Sequence, residues 1–397
     1  MRNRMILFYF VTAFFWFSLY TYVPYVAPFA DDMGANLRLV GLITGAYGFT
    51  QMAIRFPLGI FSDKLGKRKV FVLLGMFFAA VAGFIVFFFP SPYTLLISRA
   101  LGGVAASAWV TFTILGASYY PQNESAKAMG HLSACNALGR MAALLLGGLI
   151  AQRLGLTFAF LLGGIGGVVG LLCGFFIKEK PWGGEPFFSK KGSPTQTPPL
   201  QKNFNFFSVV KNKQLLACSV LGIICMFIAF ATTFGFVPLA AALLDANEFQ
   251  LGMLGVVSTV PGIFMAPLAG SIMPKKFGAP VTLVIGFLLA GVGGGLVAFS
   301  VNLPMLFAVQ IIGSIGNAIL GTLLLGLCIH DIPAPRRASA MGFYQAVYGI
   351  GMFTGPIAMG QIGHSFGLTA AFTFIFFVGI FGALLTIIYA KKGHLTY

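Results

Sequence analysis

Apolar blocks of about 20–25 residues recur along this 397-residue chain, separated by short polar connectors. A helix needs roughly 20 apolar residues to cross a hydrocarbon core of about 30 Å. Many such blocks in one chain leave a single class of architecture. Lipid cannot hydrogen-bond an exposed backbone, and a helix satisfies its own. The chain reads as twelve helical spans, at about 5–29, 39–61, 69–89, 93–118, 128–151, 156–177, 214–240, 249–272, 280–300, 304–328, 338–362 and 367–390. The connectors carry turn chemistry, as in Pro90-Ser91-Pro92 and Asn302-Leu303-Pro304. Composition agrees: 58% of residues are hydrophobic, and 51 are glycine, which lets helices approach closely in lipid. The first block is too long for a signal-peptide core and lacks a small-residue cleavage site.

Charge orients the spans. With the N-terminus in the cytoplasm, the inner segments hold Arg2, Arg4, Lys64, Lys67, Arg68, Lys69, Lys127, seven lysines between 178 and 213, Lys275, Lys276, Arg336, Arg337, Lys391 and Lys392. These are 20 of the 25 basic residues, whereas the outer loops hold only Arg38 and Arg153. The positive-inside rule then places both termini in the cytoplasm of a multi-pass protein of the cell (inner or plasma) membrane. The same asymmetry accounts for the formal charge of +16 as topology and headgroup contact. A nucleic-acid partner is not needed to explain it. The five cysteines all fall inside apolar runs and form no Cys-x-x-Cys, so no disulfide framework, metal site or cofactor is expected.

The one long connector runs from Lys178 to Lys213, rich in Lys, Pro, Ser and Gly, and reads as a flexible cytoplasmic linker. It divides the chain into a six-helix bundle at 1–177 and another at 214–397, with the linker at 178–213. The halves repeat each other. Ser125-Ala126-Lys127-Ala128-Met129-Gly130 recurs as Arg337-Ala338-Ser339-Ala340-Met341-Gly342. Leu154-Gly155-Leu156-Thr157-Phe158-Ala159-Phe160 recurs as Phe366-Gly367-Leu368-Thr369-Ala370-Ala371-Phe372, also at an offset of 212. Duplicated bundles of this kind build transporters whose substrate lies between the halves near the midplane.

Five charges are packed into the turn between spans two and three. Its pattern, Gly59-x-x-x-Asp63-Lys64-x-Gly66-Lys67-Arg68, resembles the hallmark loop of the major facilitator superfamily. Phe61 and Ser62 stand where Leu and Ala are usual. A degenerate copy without the Asp runs from Gly270 to Gly278. Arg99-Ala100-Leu101-Gly102-Gly103 resembles the family's second motif, and Gly139 with Gly147-Gly148 a weakened antiporter motif. The Gly-Pro pair of that motif stands instead in span eleven, at Gly355-Pro356. The resemblance implies an all-α membrane protein of twelve transmembrane helices in two six-helix bundles, working as a monomer by alternating access. It implies gating or coupling roles for Gly59, Asp63, Gly66, Arg68, Arg99, Gly355 and Pro356. By analogy, Asp63 pairs with a helix N-terminus or a nearby Arg and locks the inner surface against span eleven.

The chemistry is cationic. None of the nine acids falls in the middle of a span, yet Arg55, Arg99 and Arg140 do lie within spans. A charge at bilayer depth costs at least about 2.5–3.5 kcal/mol, so it faces a cavity or a partner. An anionic solute supplies the missing countercharge, and Arg suits bidentate carboxylate or phosphate binding. Tyr47, Gln51 and Arg55 share one helix face at i, i+4, i+8, a polar ladder into a cavity. Arg55 alternatively packs on the motif loop, and Arg99 serves structure or coupling. Arg140 lies near mid-depth with Asn136 one turn before it; its alternative is a bond to carbonyls of a neighbouring helix. Tyr9, Trp16 and Tyr20 form a stripe on span one, joined as candidate cavity walls by Trp109, Tyr344, Gln345 and Tyr348. Asn317, Thr232 and Thr233 are candidate hydrogen-bonding groups from the second half.

The expected function is secondary transport of a small anion, coupled to a proton or to exchange of another anion. The alternative is export of drugs or other amphiphiles, suggested by the remnant antiporter glycines and the many phenylalanines. No nucleophile–base pair or nucleotide-binding loop is present, which leaves no basis for an enzyme.

Overall fold

A computed structural model describes residues 2–65, 67–120, 125–179, 212–333 and 337–395. Most of the linker, at 180–211, lies outside the described residues. Among those described, helices and turns form twelve spans and no strand. Span α1 runs Arg2–Tyr20, passes a 3-10 turn at Val23–Tyr25 and continues as Val26–Asp32. It is followed by α2 (Leu37–Leu65), α3 (Arg68–Phe88), α4 (Pro92–Ser107 then Trp109–Ala117), α5 (Ser125–Leu154) and α6 (Leu156–Phe175). The second six begin with α7, which runs Lys213–Ala231, makes a π-helical turn at Thr232–Phe236 and ends as Val237–Ala242. Span α8 covers Glu248–Pro267, a π turn at Leu268–Ile272, and Met273–Phe277. Spans α9 (Ala279–Leu296, with a 3-10 turn at Val297–Phe299), α10 (Leu303–Leu327), α11 (Arg337–Phe366) and α12 (Leu368–Lys391) complete the set. The all-α, twelve-span architecture expected from the sequence is the one that forms.

Local chemistry ends and starts these helices. Ser91 and Thr94 form a capping box at α4, and Asn247 and Gln250 another at α8. Each satisfies backbone N–H groups that no helical carbonyl can reach. The tight joins between α5 and α6 and between α11 and α12 are made by Gly155 at φ +104° and Gly367 at φ +85°. Both take a left-handed conformation that a Cβ opposes, and they are the matched glycines of the sequence repeat.

Ten of the twelve spans are long and apolar enough to cross a membrane. The other two, α2 and α11, are diluted by glycine and by Gln51, Arg55, Gln345 and Gln361. They are also the pair that joins the first six helices to the last six on one side. Gly41 lies so near α11 that a Cβ there would stand 2.4 Å from the Pro356 carbonyl oxygen. The contact continues through Gly45 and Phe353, Gly48 and Met352, and Met52 and Gly349. On the other side α5 meets α8, where Gly252 packs on the Leu144 carbonyl and on Tyr25.

Among the described residues both seams fasten one end of the molecule. About two turns beyond the Gly349–Met52 contact, α2 reaches Gly59 and α11 reaches Gly342, and no described atom stands within 4 Å of a Cβ built at either. Gly130 of α5 is likewise open. The two sets of six helices therefore converge on the face bearing the α1–α2 and α7–α8 loops. They splay toward the basic face, which carries the ends of α1, α6, α7 and α12.

This geometry separates two kinds of glycine. Gly293 of α9 packs on α10 within one set, and its Cβ would meet the Gly313 nitrogen at 2.3 Å. Gly293→Val should lower the melting temperature in detergent by several degrees, through overpacking of about 1–3 kcal/mol. Gly41→Val should instead wedge the far-face seam. Spin labels on the loops at 33–36 and 243–247 should move apart in Gly41→Val and stay close in Gly293→Val.

Candidate functional site

The splayed cleft has a polar floor where the two sets of helices meet. Arg140 from α5, Tyr20 from α1, Thr233 and Phe234 from α7, and Ser258 and Thr259 from α8 line one cavity. It contains about 480 Å³ of non-atom space, counting its open mouth. The Arg140 guanidinium lies 4.3 Å over the Tyr20 ring and 5.9 Å from the centre of Phe234. Its Nε has no hydrogen-bond partner among the described residues, nor has Oδ1 of Asn136 one turn away. A cation over an aromatic face gains about 0.5–2 kcal/mol, less than the cost of removing the guanidinium from water.

A smaller cavity adjoins the first and shares Tyr20, Val23 and Phe234 with it. Here Arg99 is only 3% exposed and lies 4.6 Å over the Tyr47 ring. Tyr47 in turn stacks on Phe230 of α7 at 6.1 Å, and Tyr20 meets Phe234 edge-on at 6.2 Å. Two arginines of the first six helices are thus each covered by a tyrosine, and each tyrosine touches a phenylalanine of α7. Among the described residues no carboxylate pairs with either arginine.

The sequence-predicted residues fall into separate groups. Tyr20, Tyr47, Arg99 and Arg140 come together with Thr233 around these cavities. Trp109 packs at 5.1 Å on Trp16, which in turn lies beside Tyr20. Arg55 lies nearer the open side, with Nη1 3.5 Å from the Tyr348 hydroxyl across the cleft. Gln51 is buried against α4, where Ser107 Oγ donates to its carbonyl at 3.3 Å. Tyr344 is packed away against Gly222 and the edge of Tyr348, and lines neither cavity. Gln345 and Asn317 are half-buried and also outside them, with Asn317 Oδ1 enclosed and unpaired among the described residues.

Sequence reasoning named Thr233 of the second half but missed its partners Gln310 and Ser258. Gln310 of α10 donates through Nε2 to Ser258 Oγ at 2.7 Å and to Thr233 Oγ1 at 3.0 Å. Gln310 is an amide in an apolar span, the same signal that singled out Asn317 two turns further along α10.

At the basic face, Gly66 and the Asp63 side chain lie outside the described residues, so the Asp63 lock is not visible. The α3 N-terminus beside them is capped by a different acid. Glu179, just past α6, accepts from the backbone N–H of Arg68 at 2.7 Å and of Lys69 at 3.1 Å. Lys69 Nζ closes the joint on the Phe175 carbonyl at 2.7 Å. Gly355 and Pro356 sit away from this face, packed on Phe227 of α7 and on Gly41 respectively. Near the basic face, His131 Nδ1 lies 2.7 Å from the Tyr120 hydroxyl and 3.3 Å from that of Tyr9, and those two hydroxyls also bond each other.

Twelve spans converging on one face, with a polar cleft between two repeated sets, define a multi-pass membrane carrier rather than an enzyme. The profile of the Major Facilitator Superfamily matches residues 5–276 and 220–394, and the chain belongs to that family of secondary transporters. It is 24% identical over 354 residues to an uncharacterized MFS-type transporter of Methanocaldococcus jannaschii, covering 88% of this chain and 89% of the relative. It is 25% identical over 363 residues to the multi-drug resistance efflux pump PmrA of Streptococcus pneumoniae, covering 89% and 88%. Its fold is similar to a bacterial homolog of the human lysosomal transporter Spinster in an inward-facing, unoccupied conformation. The TM-score is 0.77 with 15% identity, over 99% of this chain and 96% of that one.

The Glu179 cap makes a direct prediction. Glu179→Ala should cost about 0.5–2 kcal/mol, the usual worth of a helix N-cap side chain. Thermal unfolding in detergent should show this loss, and Glu179→Gln should recover part of it because the amide oxygen still accepts.

Proposed function

We propose that this transporter moves a small organic or inorganic anion by alternating access, with Arg140 as the principal cationic contact. One observation carries the reading. Arg140 lies on the cleft floor with an unpaired Nε and no carboxylate partner among the described residues. A bound anion offsets the cost of holding that charge at depth and closes its open hydrogen bonds. Arg55, bonded to Tyr348 across the cleft, serves as a second contact nearer the opening. Arg99, fully enclosed against Tyr47, tunes the field or the coupling rather than touching solute.

In this reading the halves at 1–177 and 214–397, joined by the linker at 178–213, rock about the site. With both termini in the cytoplasm, the basic face is the inner one and the cleft opens inward. The loop from Gly59 to Arg68 then fastens the inner face in the opposite state, and the open space around Gly59 and Gly342 among the described residues supports that picture. Spans with no carboxylate in their middle favour exchange of anions, or a protonatable solute, over an acid relay. The cluster of His131, Tyr9 and Tyr120 is the remaining candidate for a coupling proton. The lipid bilayer and the solute are the expected partners, and the protein works as a monomer.

A second reading, export of neutral or anionic amphiphiles, is favoured by the aromatic wall of Trp16, Trp109, Tyr20, Phe230 and Phe234 and by the likeness to the pneumococcal pump. A thermal-shift panel of anions, cations and neutral amphiphiles, followed by counterflow with the stabilising compound, separates the two. Arg140→Gln should reduce anion counterflow at least tenfold, with Arg55→Gln weaker. Undiminished flux in both variants overturns the anion reading, and selective stabilisation by neutral amphiphiles transfers it to the second.

A further inference from the structure

The wall opposite Arg140 carries a hydrogen-bond polarity that can be worked out atom by atom. A hydroxyl has one hydrogen to give. Ser258 gives its own to the Leu254 carbonyl, at 2.7 Å. Its oxygen can therefore only accept from Gln310, 2.7 Å away, which requires the amide nitrogen of Gln310 to face it. That nitrogen has a second hydrogen, and it goes to Thr233 Oγ1 at 3.0 Å. Thr233 is left as an acceptor toward Gln310 with its own hydrogen uncommitted.

Other threonines in this protein return that hydrogen to the carbonyl four residues back, as Thr44, Thr232 and Thr259 do. Thr233 makes no such bond among the described residues. It lies in the π-helical turn Thr232–Phe236, where the backbone register shifts by one residue, and turns of this kind gather at functional positions. The turn carries Thr233 and Phe234 into the cavity that Arg140 also lines. Gln310, the group that enforces the arrangement, is only 4% exposed.

We propose that Gln310 locks the Thr233 hydroxyl as a hydrogen-bond donor into the cleft, and that Thr233 and Arg140 together clasp the carboxylate of the transported solute from opposite halves. Gln310 is the positioning residue and Thr233 the contact. The inference rests on the anion reading and narrows it to a carboxylate. The guanidinium offers two parallel N–H groups to its two oxygens, and a single hydroxyl serves a remaining lone pair. A fully ionised phosphate would leave more acceptors than this wall has donors, because the Ser258 and Thr259 hydrogens are already committed. The clasp spans the two sets of helices, so a carboxylate binds best where both walls close on it.

The test measures binding of benzoate, lactate and inorganic phosphate to the purified full-length protein by thermal shift and calorimetry. Benzamide and lactamide serve as neutral counterparts. Wild type should bind a carboxylate more tightly than its amide. Thr233→Val keeps the shape and removes the donor, and should weaken carboxylate binding about tenfold with little effect on the amide. Thr233→Ser should restore it. Gln310→Glu should weaken it at least as much, because a carboxylate there takes the Thr233 hydrogen for itself. If Gln310→Glu does not fold, the Thr233 pair alone decides. Equal carboxylate affinity in wild type and Thr233→Val overturns this inference while leaving the anion reading standing. A wild type that prefers phosphate overturns the carboxylate assignment only. A wild type that prefers the amides, or binds no anion in the panel, overturns the anion reading and this inference with it.

Discussion

Lipid offers the chain no hydrogen bonds, and every other feature of this protein answers that constraint. Backbone polarity is absorbed by twelve helical spans and by capped ends such as those at Ser91, Asn247 and Glu179. Side-chain polarity has fewer outlets. The arginines on α2, α4 and α5 find no carboxylate among the described residues. They are held instead by aromatic faces, a tyrosine hydroxyl and the walls of a cleft. A guanidinium held this way is stabilised less than its desolvation costs. The anion proposed as the solute would meet this residual demand for negative charge.

The same constraint shapes the seams between the two sets of helices. Helices in lipid gain little by hiding apolar side chains from one another, so they associate through close packing at small residues. The α2–α11 seam is made this way, with Gly41, Gly45 and Gly48 against the α11 backbone and side chains. A seam built from small residues has few interlocking side chains to extract, which suits the alternating access proposed for this protein. The packing within each set also relies on glycine but is backed by large buried rings such as Phe15, Phe112 and Phe287.

The spans were legible because transfer into lipid is a sum over local residues, and a block of twenty apolar side chains declares itself. The repeat was legible for the same reason: Gly155 and Gly367 occupy matching places and both take a left-handed turn. Arg140 and Tyr20 stood out as a charge and an aromatic ring in apolar surroundings, and they meet at 4.3 Å. Tyr344 carried the same signal, yet it is packed against Gly222 and away from both cavities. Helical spacing assigns a residue to a face; it does not say whether a cleft or another helix lies opposite that face.

What the sequence determined by itself was the class: a twelve-span membrane carrier of duplicated halves, with cations within its spans and no acid in the middle of one. These follow from composition, spacing and self-similarity, which need no partner residue. Tertiary structure alone decided which face is sealed, which acid caps α3, and that Gln310 bonds both Ser258 and Thr233, which line one cavity with Arg140. Each of these joins residues far apart in the chain, such as Gln310 and Thr233, 77 positions apart. A hydrogen bond has a direction only when donor and acceptor are both in place, and that placement comes from the packing of α7, α8 and α10.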